Sequence, residues 1–126
     1  MDFNFRYSTE TTKDELQNKL TDIMDNSGLD YQVSWSHSGD PFLTEKKELL
    51  NACATSVKEE LNMAAEISTD GGTSDGRFMA KICDQVIEFG LINESIHKIN
   101  EHTTRTDLDA VAKVYKSILN RLLIKQ

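Results

Sequence analysis

The chain has 126 residues, 38% hydrophobic and 28% charged, enough for one ordinary domain or parts of two around a modest core. Twenty-one acidic against fourteen basic residues leave a formal charge of −7, which argues against nucleic acid or an anionic membrane surface as partner. No apolar run approaches the roughly 20 residues that span a bilayer; the start at Met1 lacks the basic-then-apolar order of a signal peptide, so a cytoplasmic location is expected.

Residues 2–8 alternate, with Phe3, Phe5 and Tyr7 on one side and Asn4, Arg6 and Ser8 on the other. That period of two predicts a strand with one buried and one wet face. Thr12 and Glu15 form a capping box, and Leu16, Leu20, Ile23 and Met24 then recur at helical spacing until Asn26-Ser-Gly28 ends the helix. Tyr31, Val33 and Trp35 alternate again, predicting a second half-buried strand and a β-α-β piece of a small open-faced sheet. The only proline, Pro41, lies in a turn-rich stretch and marks a domain boundary, giving residues 1–39 and 40–126.

Downstream, Leu50, Cys53, Val57 and Leu61 predict a helix from about Thr44. Cys53 falls on that apolar stripe and Cys83 stands apart, so reduced thiols in a reducing compartment are expected. Val86, Ile87 and Phe89 make a short apolar run, as in a strand covered on both faces. Residues 106–109 open a last helix whose stripe is Leu108, Val111, Ala112, Tyr115, Ile118, Leu119 and Leu122. Strands alternating with helices predict an α/β fold. So few strands cannot bury these faces alone, and the expectation is two incomplete domains, poorly soluble or molten.

Two stretches carry candidate chemistry. The first, residues 68–78 (STDGGTSDGRF), leads from an apolar run through a glycine-dense turn toward a helix-compatible segment. Glycines let backbone N–H groups approach an anion, and Arg77 adds a planar fork of donors matched to a carboxylate. A phosphate-binding P-loop is set aside, because Arg77-Phe78 stands where Lys-Ser/Thr is required. The bland alternative is a turn that merely joins a strand to a helix. The second stretch, residues 90–101 (GLINESIHKINE), holds Asn93 and His97. One histidine does not hold zinc, so His97 read alone is a polar loop or core residue. Arg6, read alone, is a solvated charge. His37 and His102 are ordinary surface residues, and Asp75 and Glu101 are expected to brace their loops through local hydrogen bonds.

Together with residues 38–44 (SGDPFLT), these stretches closely resemble the C-terminal third of the succinyl-diaminopimelate desuccinylase family, dizinc amidohydrolases among the M20 metallopeptidases. The likeness covers essentially the whole chain. It implies residues 1–39 as the C-terminal part of an α+β lid and dimerisation domain, and residues 40–126 as the C-terminal part of an α/β zinc-hydrolase catalytic domain. It implies that Gly72, Thr73 and Arg77 contact substrate carboxylates and that Asn93 donates its amide to substrate. Arg6 would reach over the active site from the smaller domain, and Ser38 would be a hinge-region hydroxyl near the substrate. His97 would be the last ligand of one zinc, in a centre of two zinc ions per subunit for which cobalt can substitute.

The implied partners are a small anionic substrate, a second subunit in a homodimer, and the missing N-terminal part or a full-length subunit. The implied reaction hydrolyses N-succinyl-L,L-2,6-diaminopimelate to succinate and L,L-diaminopimelate, in lysine and diaminopimelate biosynthesis. No catalytic residue lies in this chain: the resemblance puts the general-base glutamate, the bridging aspartate and the other ligands upstream, as for a truncated or split gene. Leu91, Glu94 and Asp70 depart from the family pattern, which often has proline, a small residue and a hydroxyl residue there. The alternatives are a fragment of another M20 deacylase, such as acetylornithine deacetylase, and a non-catalytic interaction fragment.

Overall fold

In a computed structural model, residues 1–45, 47–70, 72 and 74–124 are described. The chain divides into two compact units, Met1–Leu43 and Thr44–Gln126, against the 39/40 boundary read from the sequence.

In the first unit, helix α1 spans Lys13–Asn26. Its start is the expected capping box: the Thr12 hydroxyl accepts from the Glu15 N–H at 3.2 Å, and the Glu15 carboxylate accepts from the Thr12 N–H at 2.8 Å. The Thr11 hydroxyl donates to the same carboxylate at 2.9 Å. At the other end the Ser27 hydroxyl donates to the Met24 carbonyl at 2.6 Å, and Gly28 takes a left-handed φ of 69° that a side chain would resist. Leu16, Leu20 and Met24 are half-buried, whereas Ile23 lies off the stripe and is exposed.

The expected strands at residues 2–8 and 30–36 lie side by side but form no ladder among the described residues. Side chains hold them instead. Trp35 stacks on Phe5 at 6.4 Å and meets Phe3 edge-on at 6.5 Å, while the Tyr7 hydroxyl lies 3.2 Å from His37 Nε2. Contacts advancing together (3 and 5 with 35, 7 with 37) run in the parallel sense, as a β-α-β crossover requires. Phe3, Phe5, Val33 and Trp35 nevertheless stay 38–51% exposed. The physical reason is that α1 covers too little area to sandwich two segments, so the alternation has no second layer to bury against.

In the second unit, α2 (Glu48–Leu61) and α4 (Arg105–Leu123) pack on each other, and α3 (Gly76–Met79) is a single turn. α2 presents Ala52, Cys53, Ser56 and Val57 to Val114 and Ile118 of α4. Burial pushes the Cys53 thiol pKa up and keeps it protonated. The cap of α4 is Thr104, whose hydroxyl accepts from the Asp107 N–H at 3.1 Å, two residues earlier than the start read at Thr106. Asn62 closes α2 in the left-handed region.

Residues 85–89 are not a strand either among the described residues, yet they are firmly placed. The Thr44 hydroxyl donates to the Val86 carbonyl and accepts from the Val86 N–H at 2.9 Å, substituting for a ladder partner. The Gln85 side chain accepts from the Leu49 N–H at 3.0 Å, and the Tyr115 hydroxyl donates to the Phe89 carbonyl at 2.5 Å. Ile87 and Phe89 pack against the helix pair while Glu88 is exposed, the period-two pattern of extended backbone.

Replacing Thr12 by alanine removes one half of the capping box and is expected to cost about 1 kcal/mol of α1 stability, read from amide exchange across Lys13–Asn26. The Glu15 pKa is lowered, first by its bond from the Thr12 backbone and then by the Thr11 hydroxyl. A lowered folded value means the carboxylate stabilises α1 above the usual glutamate range, and this is lost as pH falls through the lowered value. An NMR titration of the Glu15 side chain will show a midpoint below the unfolded one, with α1 protection falling alongside it.

Candidate functional site

The first candidate segment is held by short local bonds. The Ser68 hydroxyl accepts from the Asp70 N–H at 3.4 Å and the Ser74 hydroxyl from the Gly76 N–H at 3.0 Å, before the single turn of α3. Bracing expected of the Asp75 side chain thus falls to serine, and Asp75 makes no side-chain cap. Gly72 is exposed, and a Cβ added there would meet nothing within 4 Å. Among the described residues nothing crowds that position, which leaves the backbone there open to approach. Thr73 lies outside the described residues.

Arg77 is half-buried, with its guanidinium carbon 4.7 Å from the centre of the Phe78 ring. The aromatic face favours the cation. Its Nε–H is buried and finds no acceptor among the described residues. A buried unsatisfied donor costs about 1–3 kcal/mol. That cost is recovered when a carboxylate accepts from it, which is the chemistry expected of Arg77.

The second segment is a succession of turns from Asn93 to His102. Ile96 donates to the Asn93 carbonyl at 3.1 Å, Lys98 to Ser95 at 3.1 Å, and Glu101 to Lys98 at 3.2 Å. Ser95 ties the turns shut: its hydroxyl donates to the His102 carbonyl at 2.7 Å and accepts from the His102 N–H at 3.1 Å. Within this closed loop His97 is exposed and adopts φ 60°, followed by Asn100 at φ 65°. Left-handed backbone costs a side-chain-bearing residue roughly 1–2 kcal/mol relative to glycine.

The sequence-predicted residues fall into three places. Gly72 precedes α3 and Arg77 lies on it, while Asn93 and His97 share a later loop, all in the second unit; no bond joins the two segments among the described residues. Arg6 and Ser38 are exposed in the first unit. Among the described residues no three His, Cys, Asp or Glu side chains are grouped to hold a metal ion. A lone imidazole does not fit a zinc centre, which takes three or four protein ligands. Sequence reasoning missed the Phe78 platform, the Ser95 clasp and the left-handed backbone of His97. The adjacency of Arg77 and Phe78 was a usable signal for the first; the other two depend on how the loop folds back.

Replacement of His97 by glycine should raise the urea midpoint, whereas valine, branched at Cβ, should lower it by an amount equivalent to about 1–2 kcal/mol. Equal midpoints for the two variants would show that the left-handed turn is not maintained in solution.

Comparison with known proteins adds to this geometry. The sequence model of peptidase family M20/M25/M40 matches residues 4–121. The chain is 48% identical over 121 residues to the succinyl-diaminopimelate desuccinylase of Acinetobacter baylyi, covering 96% of this chain and 32% of that protein. It is 50% identical over 123 residues to the Ralstonia pickettii protein of the same name, covering 98% of this chain and 32% of the relative. For the Polaromonas sp. protein, also so named, the figures are 50% over 122 residues, 97% and 29%. The chain thus spans about a third of the length of these curated relatives.

Proposed function

We propose that this chain, which belongs to peptidase family M20/M25/M40, supplies the carboxylate-gripping part of a succinyl-diaminopimelate desuccinylase. The observation that carries the reading is 48–50% identity to proteins of that name across nearly the whole chain. The reaction is hydrolysis of the succinyl amide of N-succinyl-L,L-2,6-diaminopimelate, a substrate bearing several carboxylates. Arg77 suits such a group, with its guanidinium against the Phe78 ring and a buried donor that has no acceptor among the described residues. The backbone at Gly72 is open to close approach, and the family likeness assigns a substrate contact to Thr73, the next residue in sequence. In this reading Asn93 offers its amide to the substrate, and the family likeness assigns substrate-binding roles to Arg6 and Ser38 as well.

In this reading residues 40–126 belong to an α/β catalytic domain and residues 1–39 to a lid and dimerisation domain. The intact enzyme is a cytoplasmic, zinc-dependent homodimer. His97 provides one ligand to its metal centre, and the remaining ligands and the general base come from the part of the enzyme outside these 126 residues. The described residues do not complete that centre, so the chain by itself performs no hydrolysis.

Purified alone with excess zinc, the chain is expected to show no turnover of N-succinyl-L,L-diaminopimelate; turnover above background would refute the division of labour. Joined to the part of the Acinetobacter baylyi relative that it does not match, it is expected to hydrolyse the N-succinyl substrate in preference to N-acetylornithine. Arg77→Ala in the joined enzyme should raise KM roughly 10- to 100-fold, the worth of a charge-assisted carboxylate contact. A preference for the acetyl substrate would assign the chain to another deacylase.

A further inference from the structure

Two contacts of the first unit converge on one atom. The Tyr7 hydroxyl lies 3.2 Å from His37 Nε2, and a carboxylate oxygen of Asp40 lies 3.2 Å from the same nitrogen. Tyr7 is half-buried in the first extended segment, whereas His37 and Asp40 close a short turn after the second. The Tyr7 contact therefore ties that turn to a segment far away in sequence. Pro41 constrains the turn from its other end, because the residue before a proline is held in extended backbone. Read from the sequence alone, His37 is an ordinary surface residue; in the fold only 33% of its side chain is exposed.

Ser38 and Gly39 lie inside this turn. The Ser38 hydroxyl is exposed and bonds to none of the described residues. Its direction is thus set by the backbone that carries it. Among the described residues, the side-chain contacts that close this backbone are those of His37.

We infer that His37 is a positioning residue: its ring, held between Tyr7 and Asp40, fixes the turn that presents the Ser38 hydroxyl to substrate. The inference rests on the desuccinylase reading, which gives Ser38 its place beside the substrate. The ring's protonation matters, because a single nitrogen serves both neighbours. With a proton on Nε2 the ring donates to Asp40 while the Tyr7 oxygen shares the hydrogen, and a charged ring adds attraction to the carboxylate. A neutral ring with its proton on Nδ1 turns a lone pair toward Asp40 and releases it. Burial, then the carboxylates of Asp40 and of Asp14 on α1, raise the Tyr7 pKa and keep the phenol neutral. The clasp is therefore tighter with the ring charged and weakens as rising pH removes that proton.

The test uses the chain joined to the unmatched part of the Acinetobacter baylyi relative. His37→Leu keeps bulk but loses both bonds, and should raise KM for the N-succinyl substrate roughly 3- to 10-fold while kcat changes less than about twofold. Ser38→Ala should raise KM similarly, and adding His37→Leu to it should do nothing further, since the first residue acts through the second. His37→Gln, whose amide can occupy the Nε2 position, should restore KM and abolish its rise between pH 5 and 8, the range in which imidazoles ordinarily titrate. Additive losses from His37→Leu and Ser38→Ala, or a pH slope of KM that survives in His37→Gln, would overturn the inference and leave the functional reading standing. A joined protein that does not hydrolyse the succinyl substrate would sink the functional reading instead. The Ser38 amide shift then decides the clasp: it should follow the His37 ring through its titration and stay flat in Asp40→Asn, and an amide that ignores the ring would overturn the inference.

Discussion

The packing of α4 against the small-residue face of α2 is the constraint on which the second unit depends. Val114 is fully buried and Ile118 nearly so, each seated against Ala52, Cys53, Ser56 and Val57. Short side chains on α2 let the helix axes approach, and the longer side chains of α4 fill the space between. Burial of Val114 and Ile118 contributes about 1.5–3 kcal/mol each. The Ser56 hydroxyl, fully buried and without a partner among the described residues, is a cost accepted at this interface. Arg121 and Glu59 pair at the rim, where solvent keeps their net contribution small.

From this helix pair the loops are positioned by single side chains instead of by a sheet. Thr44 clasps Val86, Gln85 reaches Leu49, and Tyr115 holds Phe89, so residues 85–89 lie against the helices without a ladder. The loop with Asn93 and His97 begins directly after that segment and is closed by Ser95 on His102. Arg77 sits after a glycine-rich turn and lies against the Phe78 ring. Each candidate group is therefore held by contacts of its own loop. None depends on a neighbouring candidate, which suits a surface completed by another part of a larger enzyme.

Much of this was legible locally. Thr12 and Glu15 announce the start of α1, and the spacing of Cys53, Val57 and Leu61 announces α2, because caps and helical periodicity are properties of residues within one or two turns. Phe3, Phe5, Val33 and Trp35 announced strands by the same kind of argument, yet no ladder forms. Alternation records which face a segment would bury, but hydrogen-bonded pairing requires a partner at the right edge. The start of α4 lies at Thr104 because Thr104 and Thr106 each have an aspartate three residues on, and only the folded backbone decides that Thr104 caps, on the Asp107 N–H.

The residue order by itself determined α1, α2 and α4 and the family to which the chain belongs, since these rest on local spacing and residue chemistry. Only the tertiary structure decided that Arg77 keeps a buried donor without an acceptor among the described residues, that His97 stands in a left-handed turn, and that the α4 stripe stays exposed at Leu108, Tyr115 and Leu119. Burial and backbone handedness depend on what lies across space from a residue, and separation along the chain does not encode that distance.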